Sequence, residues 1–113
     1  MKLKDIIKKL DLQVLTANSN LETEVSFGYT SDLLSDVIAN SQEGQLWITL
    51  QIHQNIIAVA KLKDLAGIIL VNNRQPDPET LKKAEEENIT LMSTKDTAFV
   101  TSGKLYQLLA GAK

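Results

Sequence analysis

Residues 66–92, AGIILVNNRQPDPETLKKAEEENITLM, decide the fold that the sequence predicts. The apolar run at residues 66–71 is rich in β-branched side chains, which is typical of a central strand buried on both faces. A helix follows, because Asp77 can cap its first turn and Pro78 suits the first helical position. Residues 89–92 then form a short strand. This strand–helix–strand order predicts two parallel strands joined by a crossover helix.

The same alternation extends to both sides of this stretch. Residues 46–52 alternate apolar and polar side chains, which predicts another strand. Residues 53–63 predict a helix that is buried over a wide face, with Leu62 among the buried residues. A last helix over residues 96–109 is expected to pack through Phe99 and the leucines near its end.

The N-terminal third is less regular. It begins with a short amphipathic helix, and a strand follows at residues 12–16. Residues 31–40 predict a helix whose apolar face includes Leu33 and Ile38. We therefore expect one compact α/β domain over residues 1–113, with helices on both faces of a mostly parallel sheet. A mixed sheet remains open because the N-terminal strand has no predicted direction.

Composition narrows the class of protein. The chain has 113 residues, which fit one domain, and its net charge of −2 comes without the basic cluster that nucleic-acid binding requires. The longest apolar run, residues 68–71, is too short to span a bilayer, and the charged N-terminus has no signal-peptide core. There is no cysteine, which excludes thiolate metal sites. We expect a cytoplasmic protein whose partners are neither nucleic acid nor membrane.

Polar side chains gather where the predicted strands end. In open α/β sheets, ligands sit beyond the carboxyl ends of the strands. The first strand is followed by Thr16, Asn18 and Ser19. The other strand ends, together with the segment FGYTSD at residues 27–32, supply the predicted ligand-binding set: Gly28, Tyr29, Thr30, Ser31, Asp32, Gln51, His53, Asn72, Asn73, Arg74, Thr94 and Asp96.

These residue types favour an anionic ligand. Backbone N–H groups of residues 27–32 at a helix start could receive an anion, helped by the hydroxyls of Thr30 and Ser31. The guanidinium of Arg74 can pair bidentately with a carboxylate or a phosphate. The predicted ligand is therefore a small anionic metabolite or a nucleotide.

The same residues also have structural interpretations. Thr30 or Ser31 fits a helix N-cap, and Arg74 fits a surface ion pair with a nearby carboxylate. Asn72 and Asn73 form a natural turn pair, because asparagine tolerates positive φ.

Two pairs of side chains leave further alternatives open. Asp32 and Asp36 lie one helical turn apart and could share a metal, although solvated carboxylates are commoner, and we expect no metal site. Tyr29 and Trp47 could stack on a ring, but aromatic residues at an interface fit equally well.

Catalytic signatures are missing from the sequence. It contains no P-loop, GxGxxG, HExxH or GxSxG motif. His53 is the single histidine, and without cysteine little remains for nucleophilic catalysis. A histidine between a strand and a helix is more often a hydrogen-bonded structural residue than an acid or base. We expect no enzyme activity and no cofactor, with acid/base chemistry at His53 as the minor alternative.

Three segments carry a resemblance to a known family: residues 28–40 (GYTSDLLSDVIAN), residues 47–89, and the ending formed by Ser93, Thr94 and residues 96–99. They cover most of the chain, which resembles the DRTGG-domain family in its stand-alone, single-domain form. The resemblance implies a relation in fold to the N-terminal domain of HPr kinase/phosphorylase. It also implies a regulatory or sensory role and a homodimer. The kinase chemistry associated with such proteins belongs to a separate P-loop domain.

Both motifs that name the family are altered. Where many relatives have Asp-Arg after a strand, this chain has His53-Gln54. Where relatives have Thr-Gly-Gly after the central strand, it has Val71-Asn72-Asn73. A ligand site that uses those residues in relatives would be remodelled or lost here.

Two hypotheses follow. The leading one is a non-enzymatic regulatory domain that binds its ligand in a crevice and signals to a partner protein through its dimer surface. The crevice would be formed by residues 28–32, 51–55, 72–74 and 93–97. The alternative is a protein-interaction or assembly module with no small-molecule ligand, which uses exposed residues near Trp47 or Tyr106.

Overall fold

The computed structural model describes residues 1–17 and 19–111. Over these residues the chain alternates short strands and helices. Their order is α1 (Leu3–Leu10), β1 (Gln13–Val14), β2 (Gly28–Thr30), α2 (Leu34–Asn40), β3 (Leu46–Thr49), α3 (Asn55–Lys63), β4 (Gly67–Leu70), α4 (Pro78–Glu86), β5 (Leu91–Ser93) and α5 (Ala98–Gly111).

The strands form one mixed sheet with the order β1-β5-β4-β3-β2. Strands β2 to β5 are parallel to one another. Strand β1 runs antiparallel to β5, with Gln13 opposite Ser93 and Val14 opposite Met92. The predicted α/β class with a mostly parallel sheet is confirmed, and the open question about the N-terminal strand is answered by its reversed direction.

Helices cover both faces of the sheet, and the central strands are buried between them. In β3, Leu46 and Ile48 join a core with α1 and α5, whereas Trp47 joins a second core with α2, α3 and α4. In β4, Ile69 faces the first core and Ile68 the second. Burial on both faces explains why β4 is a continuous apolar run and why Leu46, Trp47 and Ile48 of β3 are all apolar.

Two predicted helix caps differ from the observed ones. Helix α4 begins at Pro78 as predicted, but the Asp77 side chain makes no capping hydrogen bond. Instead, the Asp77 carbonyl accepts from the N–H groups of Thr80 (2.9 Å) and Leu81 (3.2 Å). Helix α2 begins at Leu34, after an N-cap at Leu33, so neither Thr30 nor Ser31 is its cap.

Strand β3 is shorter than predicted, ending at Thr49 and not at residue 52. The chain leaves the sheet there because the N–H of Leu50 donates to the Asp32 carboxylate at 2.7 Å.

Several apolar side chains predicted to face inward are exposed instead: Phe99 (88%), Leu62 (69%), Leu33 (63%) and Ile38 (41%). Helix α5 contacts the sheet through Thr101, Leu105 and Leu109, and Phe99 lies about 200° around the helix from Thr101. A helix with apolar residues on several sides does not show from sequence which side meets the sheet.

Trp47 shows the opposite difference, because its side chain is fully buried. Its indole N–H donates to the Ser31 carbonyl at 2.8 Å. The alternatives in which Trp47 stacks on a ligand ring or forms an interaction surface are therefore wrong.

No helix within residues 1–17 and 19–111 has both the length and the apolar composition needed to cross a membrane.

Because β4 is buried on both faces, a matched pair of leucine variants tests the described core. Leu70 is fully buried in β4, whereas Leu62 is 69% exposed on α3. We expect Leu70→Ala to lower the free energy of unfolding by about 2–5 kcal/mol, because it leaves a cavity in the core. Leu62→Ala should change it by less than about 0.5 kcal/mol. Urea denaturation of both variants measures the difference, and equal losses would contradict the described core.

Candidate functional site

The loops that follow the four parallel strands lie at one edge of the sheet, because parallel strands end on the same side. We call this edge the carboxyl rim. It consists of residues 31–33, 50–54, 71–77 and 94–97.

Asp32 ties the first two rim loops together. One carboxylate oxygen, Oδ1, accepts from the Thr49 hydroxyl at 2.8 Å and from the Leu50 N–H at 2.7 Å. The Gln51 side-chain amide donates to the Asp32 carbonyl at 2.9 Å. Two predicted ligand residues, Asp32 and Gln51, are therefore brought together, and their bonds fix the shape of the rim.

Ser31 is held by the neighbouring strand. Its N–H donates to the Ile48 carbonyl at 3.2 Å, and its hydroxyl accepts from the Leu33 N–H at 3.2 Å. Thr30 shares a hydrogen bond of 2.7 Å with the Ser102 hydroxyl of α5. The N–H of Ser31, one of the groups predicted to receive an anion, thus already has an acceptor.

The loops after β4 and β5 are joined by backbone hydrogen bonds. The N–H of Asn72 donates to the Asp96 carbonyl at 2.9 Å, and the N–H of Asn73 donates to the Thr94 carbonyl at 2.8 Å. Both asparagines have positive φ, 57° and 54°, as their interpretation as a turn pair requires. Four predicted ligand residues are therefore adjacent to one another.

Asp96 is also held by a basic side chain. Its Oδ2 lies 2.9 Å from Nζ of Lys104, which projects from α5. The Asp96 N–H donates to the Thr94 hydroxyl at 3.2 Å. The 94–96 loop is consequently fixed both to the 72–74 loop and to α5.

A groove of about 520 Å³ opens beside these loops, and we call it the rim groove. Its polar character comes from the ammonium groups of Lys95 and Lys104, the carboxylates of Asp11 and Asp96, and the hydroxyl and amide groups around them. Its lining is Leu10, Asp11, Leu12, Gln13, Asn73, Ser93, Thr94, Lys95, Asp96 and Lys104.

Part of this lining was not predicted from the sequence. Residues 10–13 reach the rim because β1 is antiparallel to β5, which places the start of β1 beside Ser93. The direction of β1 has no sequence signal. Lys104 follows Asp96 by eight residues, and only the observed start of α5 at Ala98 places the two charges together.

The end of β1 lies at the opposite edge of the sheet. Thr16 is buried there, and its hydroxyl accepts from the Leu91 N–H at 3.3 Å. Thr16 and Ser19 are therefore not part of the rim, contrary to the expectation for residues after the first strand. Asn18 lies outside the described residues.

His53 and Arg74 are exposed on rim loops. Nδ1 of His53 accepts from the Asn55 N–H at 3.1 Å in the first turn of α3, which agrees with its structural interpretation. Arg74 forms no ion pair with any residue in the described part of the chain, so the predicted surface ion pair is absent there.

Gly28 lies away from the rim, at the start of β2, where it pairs with Leu46. A methyl group on Gly28 would lie 2.6 Å from Cδ2 of Leu105, so the glycine allows α5 to pack closely against β2.

Tyr29 faces the other side of the sheet from the Gly28 contact. Its hydroxyl donates to the Asp36 carboxylate at 2.9 Å, and the Asn40 amide donates to the same carboxylate at 2.9 Å. The bond between Tyr29 and Asp36 fastens α2 to the sheet, whereas the bond from Asn40 lies within α2. The hydrogen bond to Asp36 raises the pKa of Tyr29, and hydrogen bonds from Asn40, Ser31 and Tyr29 lower the pKa of Asp36.

The carboxylates of Asp32 and Asp36 point to different partners and do not form the metal pair considered above. Within the described residues, no group of three or more histidine, aspartate or glutamate side chains could hold a metal ion.

The Tyr29–Asp36 bond predicts a change in a titration. Because the pKa of Asp36 is lowered, its bonds stabilise the fold above the ordinary carboxyl pKa, and this contribution is lost as the pH falls through the folded-state value. We expect Tyr29→Phe to raise the pKa of Asp36 and to weaken this acid dependence. NMR titration of the Asp36 side-chain carbon measures the shift. Tyr106→Phe is the matched control, and an equal effect there would contradict the assignment.

Known proteins resemble this chain in sequence and in fold. The sequence model of the DRTGG domain matches residues 5–108. A solved structure of the CBS and DRTGG domains of the regulatory region of Clostridium perfringens pyrophosphatase, complexed with the activator diadenosine tetraphosphate, aligns with a TM-score of 0.75 and 18% sequence identity.

That alignment covers 94% of this chain and 46% of the other, so this chain spans less than half of its neighbour's length. No curated protein matches the chain. The relation to HPr kinase/phosphorylase stays a prediction. Because the domain model covers nearly all of its residues, this chain belongs to the DRTGG domain family.

Proposed function

We propose that this chain is a non-enzymatic regulatory domain that binds a small anionic metabolite or a nucleotide in the rim groove. It acts in the cytoplasm as a homodimer and passes ligand occupancy to a partner protein. The observation that supports this most directly is the joining of the 72–74 and 94–96 loops around a polar groove of about 520 Å³.

The charges of the rim groove fit an anion that also carries hydrogen-bond donors. Lys95 and Lys104 supply ammonium groups for phosphate or carboxylate oxygens, and these charge-assisted hydrogen bonds are among the stronger polar contacts. Arg74 is exposed on the neighbouring loop and can add a bidentate contact. Asp11 and Asp96 would accept from hydroxyl or amino groups, such as those of a nucleoside.

The family supports a regulatory role without naming the ligand. The similar structure is that of a regulatory region complexed with a nucleotide activator, and its likeness to this chain is one of fold. At the positions of the two altered family motifs this chain has His53-Gln54 and Asn72-Asn73, and both pairs lie on rim loops. The ligand contacts proposed here therefore differ in residue type from those that the unaltered family motifs would supply.

A route from ligand to partner begins at Lys104. Its ammonium group is bonded to Asp96 at 2.9 Å and belongs to α5. An anion in the rim groove would compete with Asp96 for this ammonium group. Occupancy would therefore change how the 94–96 loop is fastened to α5, whose other side is exposed.

The alternative, a protein-interaction module with no small-molecule ligand, is favoured by a different observation. Phe99 and Tyr106 of α5 are 88% and 61% exposed, which is unusual for aromatic side chains. This alternative predicts no response to any metabolite.

Thermal-shift measurements with nucleotides and phosphorylated metabolites test the proposal. A ligand at a hundred times its dissociation constant stabilises the fold by about 2.7 kcal/mol. We expect a rise in Tm of several degrees for at least one anionic compound. Arg74→Ala and Lys95→Ala should each weaken binding by roughly tenfold, because each removes one charged contact.

Lys82→Ala provides the matched control, because Lys82 is exposed on α4 and is part of neither the rim loops nor the lining of the rim groove. Absence of any shift would leave the protein-interaction alternative. A shift that persists in both Arg74→Ala and Lys95→Ala would exclude the rim groove as the binding site.

A further inference from the structure

The outer face of α5 lacks the charges that cover the other surfaces of the molecule. We define the outer face of α5 as Phe99, Val100, Gly103 and Tyr106, all of which are exposed. Phe99 is 88% exposed. In the 14 residues of α5 the single charged side chain is Lys104, which pairs with Asp96. The rest of the chain is much richer in charge, so this face is suited to contact with another apolar surface.

An apolar cavity lies beside this face, between α5 and the edge strand β2. Its volume is about 140 Å³, and apolar side chains of Phe27, Leu105, Tyr106 and Leu109 form much of its wall. A cavity of about 150 Å³ in a protein is known to hold a benzene molecule. The cavity therefore has room for about one phenyl ring.

Along α5, Gly103 follows Phe99 and precedes three of the four α5 residues that line the cavity, Leu105, Tyr106 and Leu109; the fourth, Ser102, directly precedes the glycine. A methyl group at this position would meet no atom within 4 Å. Glycine lowers the stability of an exposed helix, but it allows a second helix to approach closely.

We propose that a second copy of this chain covers the outer face of α5. The two α5 helices cross antiparallel at a two-fold axis near Gly103, and Phe99 of each copy enters the 140 Å³ cavity of the other. Phe99 precedes Gly103 by four residues, whereas Tyr106 and Leu109 follow it by three and six. In an antiparallel pairing about Gly103, Phe99 of one copy therefore lies opposite Tyr106 and Leu109, which line the cavity of the other copy.

The two-fold arrangement favours a second copy over an unrelated partner. A symmetric interface requires that each surface carry both complementary parts, so that residue i contacts j and j contacts i. Here the same chain carries both an exposed ring before Gly103 and a cavity of matching size whose apolar α5 residues follow that glycine. This inference rests on the homodimer of the proposed function, and it does not depend on the ligand.

Sedimentation velocity over a range of protein concentrations tests the interface. We expect a dimer whose dissociation constant rises at least about a hundredfold in Phe99→Ser, because two buried rings are lost per dimer. Leu62→Ser is the matched control, since Leu62 is 69% exposed on α3. Its dimer should dissociate like the parent protein, and circular dichroism checks that both variants are folded.

Cysteine cross-linking provides a second measurement, because the chain has no cysteine of its own. Gly103→Cys should form a disulfide-linked dimer under mild oxidation, since residues at a two-fold axis come within disulfide reach. Ala58→Cys, at an exposed position on α3, should remain largely monomeric under the same conditions.

A chain that stays monomeric up to its solubility limit would overturn both this interface and the proposed homodimer. A dimer that Phe99→Ser does not weaken, or that Gly103→Cys does not link, would overturn the interface alone. Equal weakening by Leu62→Ser would also overturn it. None of these outcomes bears on ligand binding, which the thermal-shift measurements test separately.

Discussion

Burial of β3 and β4 on both faces is the constraint on which the rest of the structure depends. Every residue of these two strands is buried, so helices must cover the sheet on each side. Parallel neighbours can be joined only by crossover connections, and the helices α2, α3 and α4 supply them. The same connections return the chain so that β2, β3, β4 and β5 all end at one edge. The candidate site is thus a consequence of how the apolar strands are buried.

The rim is given its shape mainly by hydrogen bonds to the backbone. The N–H groups of Asn72 and Asn73 bond to carbonyls of the next loop, and the Asp32 carboxylate accepts from the N–H of Leu50. These bonds pair backbone N–H groups that, in a loop outside the sheet, would otherwise hydrogen-bond to water. The side chains of Lys95 and Arg74 form no ion pair within the described residues, and they are available to a ligand. A fixed backbone with free cations at its edge is the arrangement that supports the proposed anion site.

Much of the fold could be predicted from the sequence because strong local signals and global burial agree. The run at residues 66–71 contains the buried strand β4, and Pro78 starts α4, as their residue types indicate. The direction of β1 could not be predicted, since an edge strand of two residues carries no signal for its orientation. Exposure of Phe99 and full burial of Trp47 also escaped prediction, because hydrophobicity alone does not say which surface covers a side chain. Within the site, the order of the strands was enough to predict that Asn72, Asn73, Thr94 and Asp96 lie together. The position of Lys104 beside Asp96 could not be predicted, because it depends on where α5 begins.

We propose that the loops after β4 and β5 form an anion site at the carboxyl rim. Titration of the ¹⁵N-labelled protein with a nucleotide, followed by amide NMR spectra, tests this most directly because each amide reports its own surroundings. We expect saturable shifts centred on the amides of Asn73, Thr94, Lys95 and Asp96, with little change at the opposite edge around Thr16. Shifts centred on that opposite edge, or the absence of any saturable shift with nucleotides and other phosphorylated metabolites, would contradict it.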